Sequence, residues 1–228
     1  MSSLKKLLLV EDNHEFSDAA LSTAKDMKSD IIDYRNIVVA DCYNSAQNAI
    51  FHGIDTAVVD CFFPRAIDLG IERCLAYHTI AEMMQQDPKQ PARNRNPITQ
   101  SLNRIIELMG VEAAQNFAKN SRVDYGSTVD PYKHMEAMIK QDDANQPLGI
   151  VIAGELEQKN IPFVLATSTY HHDVMTQPIY DYAGRRNWIL IDCPKDMPGQ
   201  KANPEYWQRV FTTLSAMNEM KNNKEITL

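Results

Sequence analysis

The sequence predicts an α/β protein: a doubly wound, five-stranded parallel sheet in the order 2-1-3-4-5, with a mainly helical insertion between strand 3 and helix 3. Three observations predict it. Short, nearly uninterrupted apolar runs recur, as strands buried on both faces require. A helix-period pattern follows each run, the alternation of a doubly wound domain. One connection alone is out of proportion: it runs to about a hundred residues where a single crossover helix suffices.

The elements follow in order. The first strand is "LLLV", 7–10, and the second is "IVVA", 37–40. The third, "TAVV" at 56–59, ends in Asp60. The fourth is "FVLA", 163–166, closed by Thr167, and the fifth is "WILI", 188–191. Helices are expected over 15–28, 44–52, 149–159, 174–186 and 204–220. Asn44-Ser45 suits a helix start, Gly53 a stop and Pro204 a first turn. The resulting division is an α/β domain formed by 1–64 and 147–228, and an insertion subdomain over 65–146. Within that insertion Ile71, Cys74, Leu75 and His78 share one helical face, with His78 expected in the core. Ile98, Leu102, Ile105 and Met109 form a second stripe, started by Asn96-Pro97 and stopped by Gly110. Asp130-Pro131 opens a third helix carrying Met135, Met138 and Ile139, and 85–97 reads as an exposed loop.

Composition narrows the function. Hydrophobic residues make up 44% of the 228, enough for a core. The net charge of -7 argues against a broad nucleic-acid surface, and two arginines in one polar loop, Arg93 and Arg95, read as solvated. Four cysteines without a CxxC pair suggest neither a disulfide framework nor a zinc knuckle; Cys61 and Cys193 read as packing residues. No stretch approaches a signal core or a membrane span, so a cytoplasmic protein is expected. The pair His171-His172 has no partners at zinc-ligand spacing and reads as a surface loop.

The chemistry is expected at the strand ends. Glu11 and Asp12 close strand 1, and Asp60 closes strand 3. In the order 2-1-3-4-5 those ends are neighbours at the switch point, where ligands bind in open parallel sheets. Three carboxylates in one cleft repel one another unless a cation sits among them, and an oxygen-only donor set suits Mg²⁺.

"KLLLVEDN", "DTAVVDCFFP" and "IPFVLATS", in that order and each at a strand end, resemble the receiver domain of response regulators in two-component signalling, over about 1–64 and 147–220. The resemblance implies a flavodoxin-like fold and phosphorylation of Asp60, with Pro64 four residues on. It implies Mg²⁺ held by Asp12, Asp60 and the main-chain carbonyl of Phe62, with Glu11 acting through metal-bound water. Thr167 is implied as the hydroxyl that senses the phosphoryl group. A sensor histidine kinase or another signalling protein is the implied partner. The insert would give output or dimerisation, and no nucleic acid or membrane is involved.

The match departs at strand 5. The family's lysine precedes a proline, in a bond that is cis; here Cys193 precedes Pro194, and Lys195 follows it. Cysteine cannot replace an ammonium beside a phosphoryl oxygen. Lys195 is therefore the candidate cation, and the alternative is a degenerate pseudo-receiver that binds a protein partner without phosphorylation. An enzyme is not expected: a phosphohydrolase of this design needs a second acid two residues after its nucleophile, and position 62 is Phe.

Overall fold

The computed structural model describes residues 5–27, 32–64, 70–141, 146–194 and 199–226. Five parallel strands pair in the order β2-β1-β3-β4-β5. They are β1 (Lys5–Val10), β2 (Ile32–Ala40), β3 (Thr56–Asp60), β4 (Phe163–Ala166) and β5 (Leu190–Ile191). The sheet order and the helical region after β3 agree with the sequence-based expectation. β2 starts five residues earlier than its apolar run. β5 is shorter than "WILI", because the Trp188 N–H turns back to the Ala183 carbonyl and closes the preceding helix.

Side-chain alternation builds two cores. Leu8, Val10, Ala57, Val59 and Leu165 face α2 (Tyr43–Phe51), α9 (Leu148–Gln158) and α10 (Thr176–Arg185). Leu7, Leu9, Val58 and Val164 face α1 (His14–Met27) and α11 (Pro204–Ile226). The start of α2 is capped by Ser45 from inside the helix: its hydroxyl accepts from the N–H of Cys42, one residue before Tyr43. Gly53, at φ 85°, ends that helix in a backbone region that favours glycine.

Segment 65–146 is stitched at its base. Phe63 and Gln146 form an antiparallel bridge, with the Phe63 N–H donating to the Gln146 carbonyl at 3.1 Å. Its helices are α3 (Gly70–Gln86), α4 (Gln90–Arg93), α5 (Pro97–Met109), α6 (Val111–Asn120), α7 (Tyr125–Thr128) and α8 (Pro131–Gln141). They divide between two cores. Ala76, Ile80 and Met83 of α3, with Tyr132, Met135 and Ile139 of α8, join the core above the sheet. Leu102, Ile106, Val111, Ala114 and Ala118 close a smaller cluster with Val129 and Ala137.

Three expectations for the insert need correction. His78 is exposed, because the buried face of α3 runs through Ala76, Ile80 and Met83. The loop 85–97 contains α4 and a buried polar cluster, in which Asp87 pairs with Arg93 and accepts from the Tyr132 hydroxyl. On α5 the core face is Thr99, Leu102 and Ile106, which leaves Ile98 and Met109 exposed at the ends of the predicted stripe. The ends of α5 are as expected: Asn96 caps it, accepting from Ile98 N–H and Thr99 N–H, and Gly110 stops it at φ 89°. Among the described residues no helix is long and apolar enough to cross a membrane.

Within the insert, His134 is buried, with its Nδ1 2.8 Å from the Tyr125 hydroxyl. Burial pushes its imidazole down to about 4, against 6.5 ordinarily. Between those values the unfolded chain binds the proton and the folded one does not. Stability from this residue is therefore full above pH 6.5 and is lost as pH falls toward 4. Going from pH 7 to pH 5 is expected to destabilise the wild type by about 2 kcal/mol more than it destabilises His134→Gln. Urea melts at the two pH values measure this, and equal losses in the two proteins would refute it.

Candidate metal centre

The site is built by strand register. Val10 pairs with Val59, so Glu11 and Asp60, the next residues on adjacent parallel strands, stand side by side. Leu9 and Val58 face the α1/α11 core, and alternation turns Glu11 and Asp60 to that same side. Ligand oxygens of Glu11, Asp12 and Asp60 all lie within 4.8 Å of one another, and Glu11 and Asp60 are buried. With Asn13, Phe16, Phe62, Ser168 and Thr169 they line a cleft of about 180 Å³ at the carboxyl edge of the sheet.

A lysine that the sequence reading missed enters this cluster. Lys201 lies on a 3₁₀ turn, Gln200–Ala202, just ahead of α11, and is fully buried. Its Nζ stands 2.5 Å from Glu11 Oε2 and 3.2 Å from Asp60 Oδ2. Both contacts are ion pairs. The ammonium also lies over the rings of Phe16 and Trp207, at 5.6 and 5.8 Å. The indole N–H of Trp207 donates to the Lys201 carbonyl at 2.6 Å and fixes the turn. No motif announces Lys201; the available signal was that three clustered acids require a cation and that few lysines follow strand 5. Lys195, the candidate named from sequence, lies outside the described residues. No cis peptide bond occurs among the described residues, so the Cys193–Pro194 bond is trans rather than cis.

The electrostatics express a shortage of positive charge. Burial pushes Glu11 up to about 7; Lys201 opposes the shift and Asp60 adds to it. Asp60 is raised by burial, against Lys201 and the main-chain N–H groups of Cys61 and Phe62. Asp12 is raised by burial and by Asp60. Burial alone would lower Lys201, but Asp60 and Glu11 override it and hold the ammonium above its ordinary value. The lysine thus stays charged while the acids resist ionisation, chiefly because burial strips their carboxylates of water and only one ammonium is there to oppose it. An acidic cluster of this kind could hold a metal ion.

The other predicted residues occupy neighbouring places. Phe62 lines the cleft. Thr167 is fully buried beneath it, and the hydroxyls that line the cleft come from Ser168 and Thr169. Thr167 Oγ1 lies 2.8 Å from Thr169 Oγ1, which in turn contacts Thr176 Oγ1 at the start of α10. His171 is half-buried rather than a free surface residue. Its Nδ1 lies 2.6 Å from Asp192 Oδ2, and its ring stacks on Tyr180. Cys61 and Cys193 are buried free thiols, as expected of packing residues.

α9 braces the site from beneath. A Cβ added to Gly149 would lie 2.0 Å from the Asp60 carbonyl oxygen and 2.7 Å from Cys61 Cα, both unyielding backbone. The Gly149 N–H donates to the Cys61 carbonyl at 3.2 Å.

Comparison with protein-family models, with curated proteins and with solved structures gave no match. The functional reading therefore rests on the residues and geometry above.

Two pairs of substitutions test this construction. Gly→Ala in a helix ordinarily stabilises by up to about 1 kcal/mol. Gly154→Ala, on the open side of α9, is expected to do so, whereas Gly149→Ala is expected to destabilise by at least about 1–3 kcal/mol. Denaturant midpoints giving both variants the same sign would refute the close approach. Lys201→Met strands buried carboxylates and is expected to cost about 3–5 kcal/mol at neutral pH. Adding Glu11→Gln should restore part of that loss; strictly additive losses would mean that the pair does not interact.

Proposed function

We propose that this chain is a receiver-like signalling protein of the cytoplasm, in which Asp60 accepts a phosphoryl group, Mg²⁺ is the resident cation and segment 65–146 carries the output. The single observation that carries this reading is the Lys201 ammonium in contact with Asp60 and Glu11. The alternative of a phosphorylation-independent pseudo-receiver rested on the cysteine before Pro194. Lys201 brings the missing charge from another element and weakens the reason for that alternative.

The residues support phosphoryl transfer as follows. An Asp60 carboxylate oxygen attacks the phosphorus of the donor. The bond from phosphorus to the donor's leaving group breaks, and the leaving group departs with the electron pair. The main-chain N–H groups of Cys61 and Phe62 favour the charged form of the Asp60 carboxylate. Lys201, 3.2 Å from Asp60 Oδ2, stands ready to balance charge on a phosphoryl oxygen. The hydroxyls of Ser168 and Thr169 line the same cleft and can donate to such an oxygen. By the family resemblance Mg²⁺ would be held by Asp12, Asp60 and the Phe62 carbonyl, with Glu11 acting through metal-bound water, and would supply positive charge against the transferred group. The oxygen-only donor set and the unbalanced negative charge fit that ion.

A sensor histidine kinase or another signalling protein would be the natural donor or partner. Incubation with a small acyl phosphate and Mg²⁺ is expected to add one phosphoryl group by intact mass. The gain should vanish in Asp60→Asn and fall at least about tenfold in rate in Lys201→Met. No gain in the wild type, or a gain that survives Asp60→Asn, would overturn the proposal.

A further inference from the structure

The insert carries an apolar knob beside a groove that can take it. Met109 and Leu108, at the end of α5, are 73% and 66% exposed, large values for side chains of this kind. Next to them a groove of about 410 Å³ runs between α5 and α8. Ile106, Ala137 and Leu108 itself contribute its apolar part. Its charged walls are Glu107 and Glu136 against Lys133 and Lys140, two of each sign. Lys133 already lies 3.0 Å from Glu136 and 3.9 Å from Glu107.

We propose that the α5–α8 groove is a homodimer interface, in which Met109 of each copy enters the groove of the other. Leu108 and Gly110, the neighbours of Met109 in the chain, line the groove, so a twofold axis can bring each knob to the other copy's groove and the contact closes at two copies. The walls argue for a second copy as occupant. A partner of one charge sign would meet two like charges, whereas a copy of this face presents two lysines to two glutamates. α5 spans about 20 Å, at 1.5 Å per residue, so a contact of one helix and one groove is smaller than a standard interface. The dimer is accordingly weak and depends on concentration. It is independent of the chemistry at Asp60.

Sedimentation equilibrium of the full chain from about 1 µM to about 1 mM tests it. The weight-average mass is expected to rise from one chain toward two. Met109→Glu should weaken association at least about tenfold. Phe51→Glu should leave it unchanged, because Phe51, 84% exposed on α2, lies outside this face. Lys133→Glu should weaken association, and adding Glu136→Lys should restore it, since the second change returns the walls to two charges of each sign. All four substitutions are at positions that are not buried, and circular dichroism checks that each variant folds. A wild type that stays monomeric throughout would overturn the proposal and leave the face to a different protein. A dimer indifferent to Met109→Glu, or one abolished by Phe51→Glu, would overturn it equally.

Discussion

The organising constraint is a charge imbalance in a dry place: three carboxylates share one ammonium at the end of the sheet. Parallel pairing of β1 with β3 fixes two of the acids side by side, and alternation sends both to the same face. Once there, they cannot all be charged without help. At the short distances involved, repulsion in a poorly hydrated pocket is worth several kcal/mol, more than a single contact elsewhere in the fold returns. Lys201 relieves part of it, yet burial, with Asp60 adding to it at Glu11 and Asp12, keeps all three acids raised. A cluster so held is poised for positive charge, whether from a metal ion or from hydrogen-bond donors brought in by a ligand.

The surrounding structure ties this pocket to the insert by direct contacts. α9 presses on the backbone of Asp60 and Cys61 at Gly149, and the insert leaves and rejoins the sheet at Phe63 and Gln146, within a few residues of that point. On the other side, hydroxyl contacts run from Thr167 through Thr169 to Thr176, the first residue of α10. α10 is bonded to α3: the Tyr182 hydroxyl donates to Glu82 at 2.9 Å, and Arg186 pairs with the same carboxylate. Val174, in the intervening loop, packs against the insert's small core. A ligand that drew the Thr169 hydroxyl into the cleft would have to break its contact with Thr176. The connection is therefore a physical chain of contacts from the cleft to the insert.

Much of this was legible in the sequence. β-branched and leucine-rich runs with flat hydrophobicity declared strands buried on both faces, and the carboxylates at the ends of two of them located the cleft. Local signals worked where the chemistry is local: Asn96 caps α5 and Gly110 stops it. They failed where tertiary packing decides. His78 sits one turn from Leu75, which packs against the core, yet is itself exposed, and Met109 lies on a stripe of α5 that the core covers only in part. Lys201 was invisible for the same reason. Nothing in "GQKANP" distinguishes a buried lysine from a solvated one.

The origin of that lysine matters for how the site holds together. An ammonium borne by strand 5 would be fixed by the sheet. Here it is borne by a short turn, and three contacts from the helical layer set its place: the Trp207 indole on its carbonyl, and the faces of Phe16 and Trp207 beside its ammonium. Tyr206, the neighbour of Trp207, donates to the Ile191 carbonyl at 2.9 Å and the Thr167 carbonyl at 3.2 Å, and so joins the same helix to the ends of β4 and β5. Charge balance at Asp60 therefore depends on α11 being docked. Burying Trp207, Val210, Phe211 and Leu214 against the sheet gives that docking an apolar drive that does not involve the acids at all. Hydrophobic burial thus carries the cation to the carboxylates, and the ion pairs, costly to form in isolation, form because the packing has already brought the partners together.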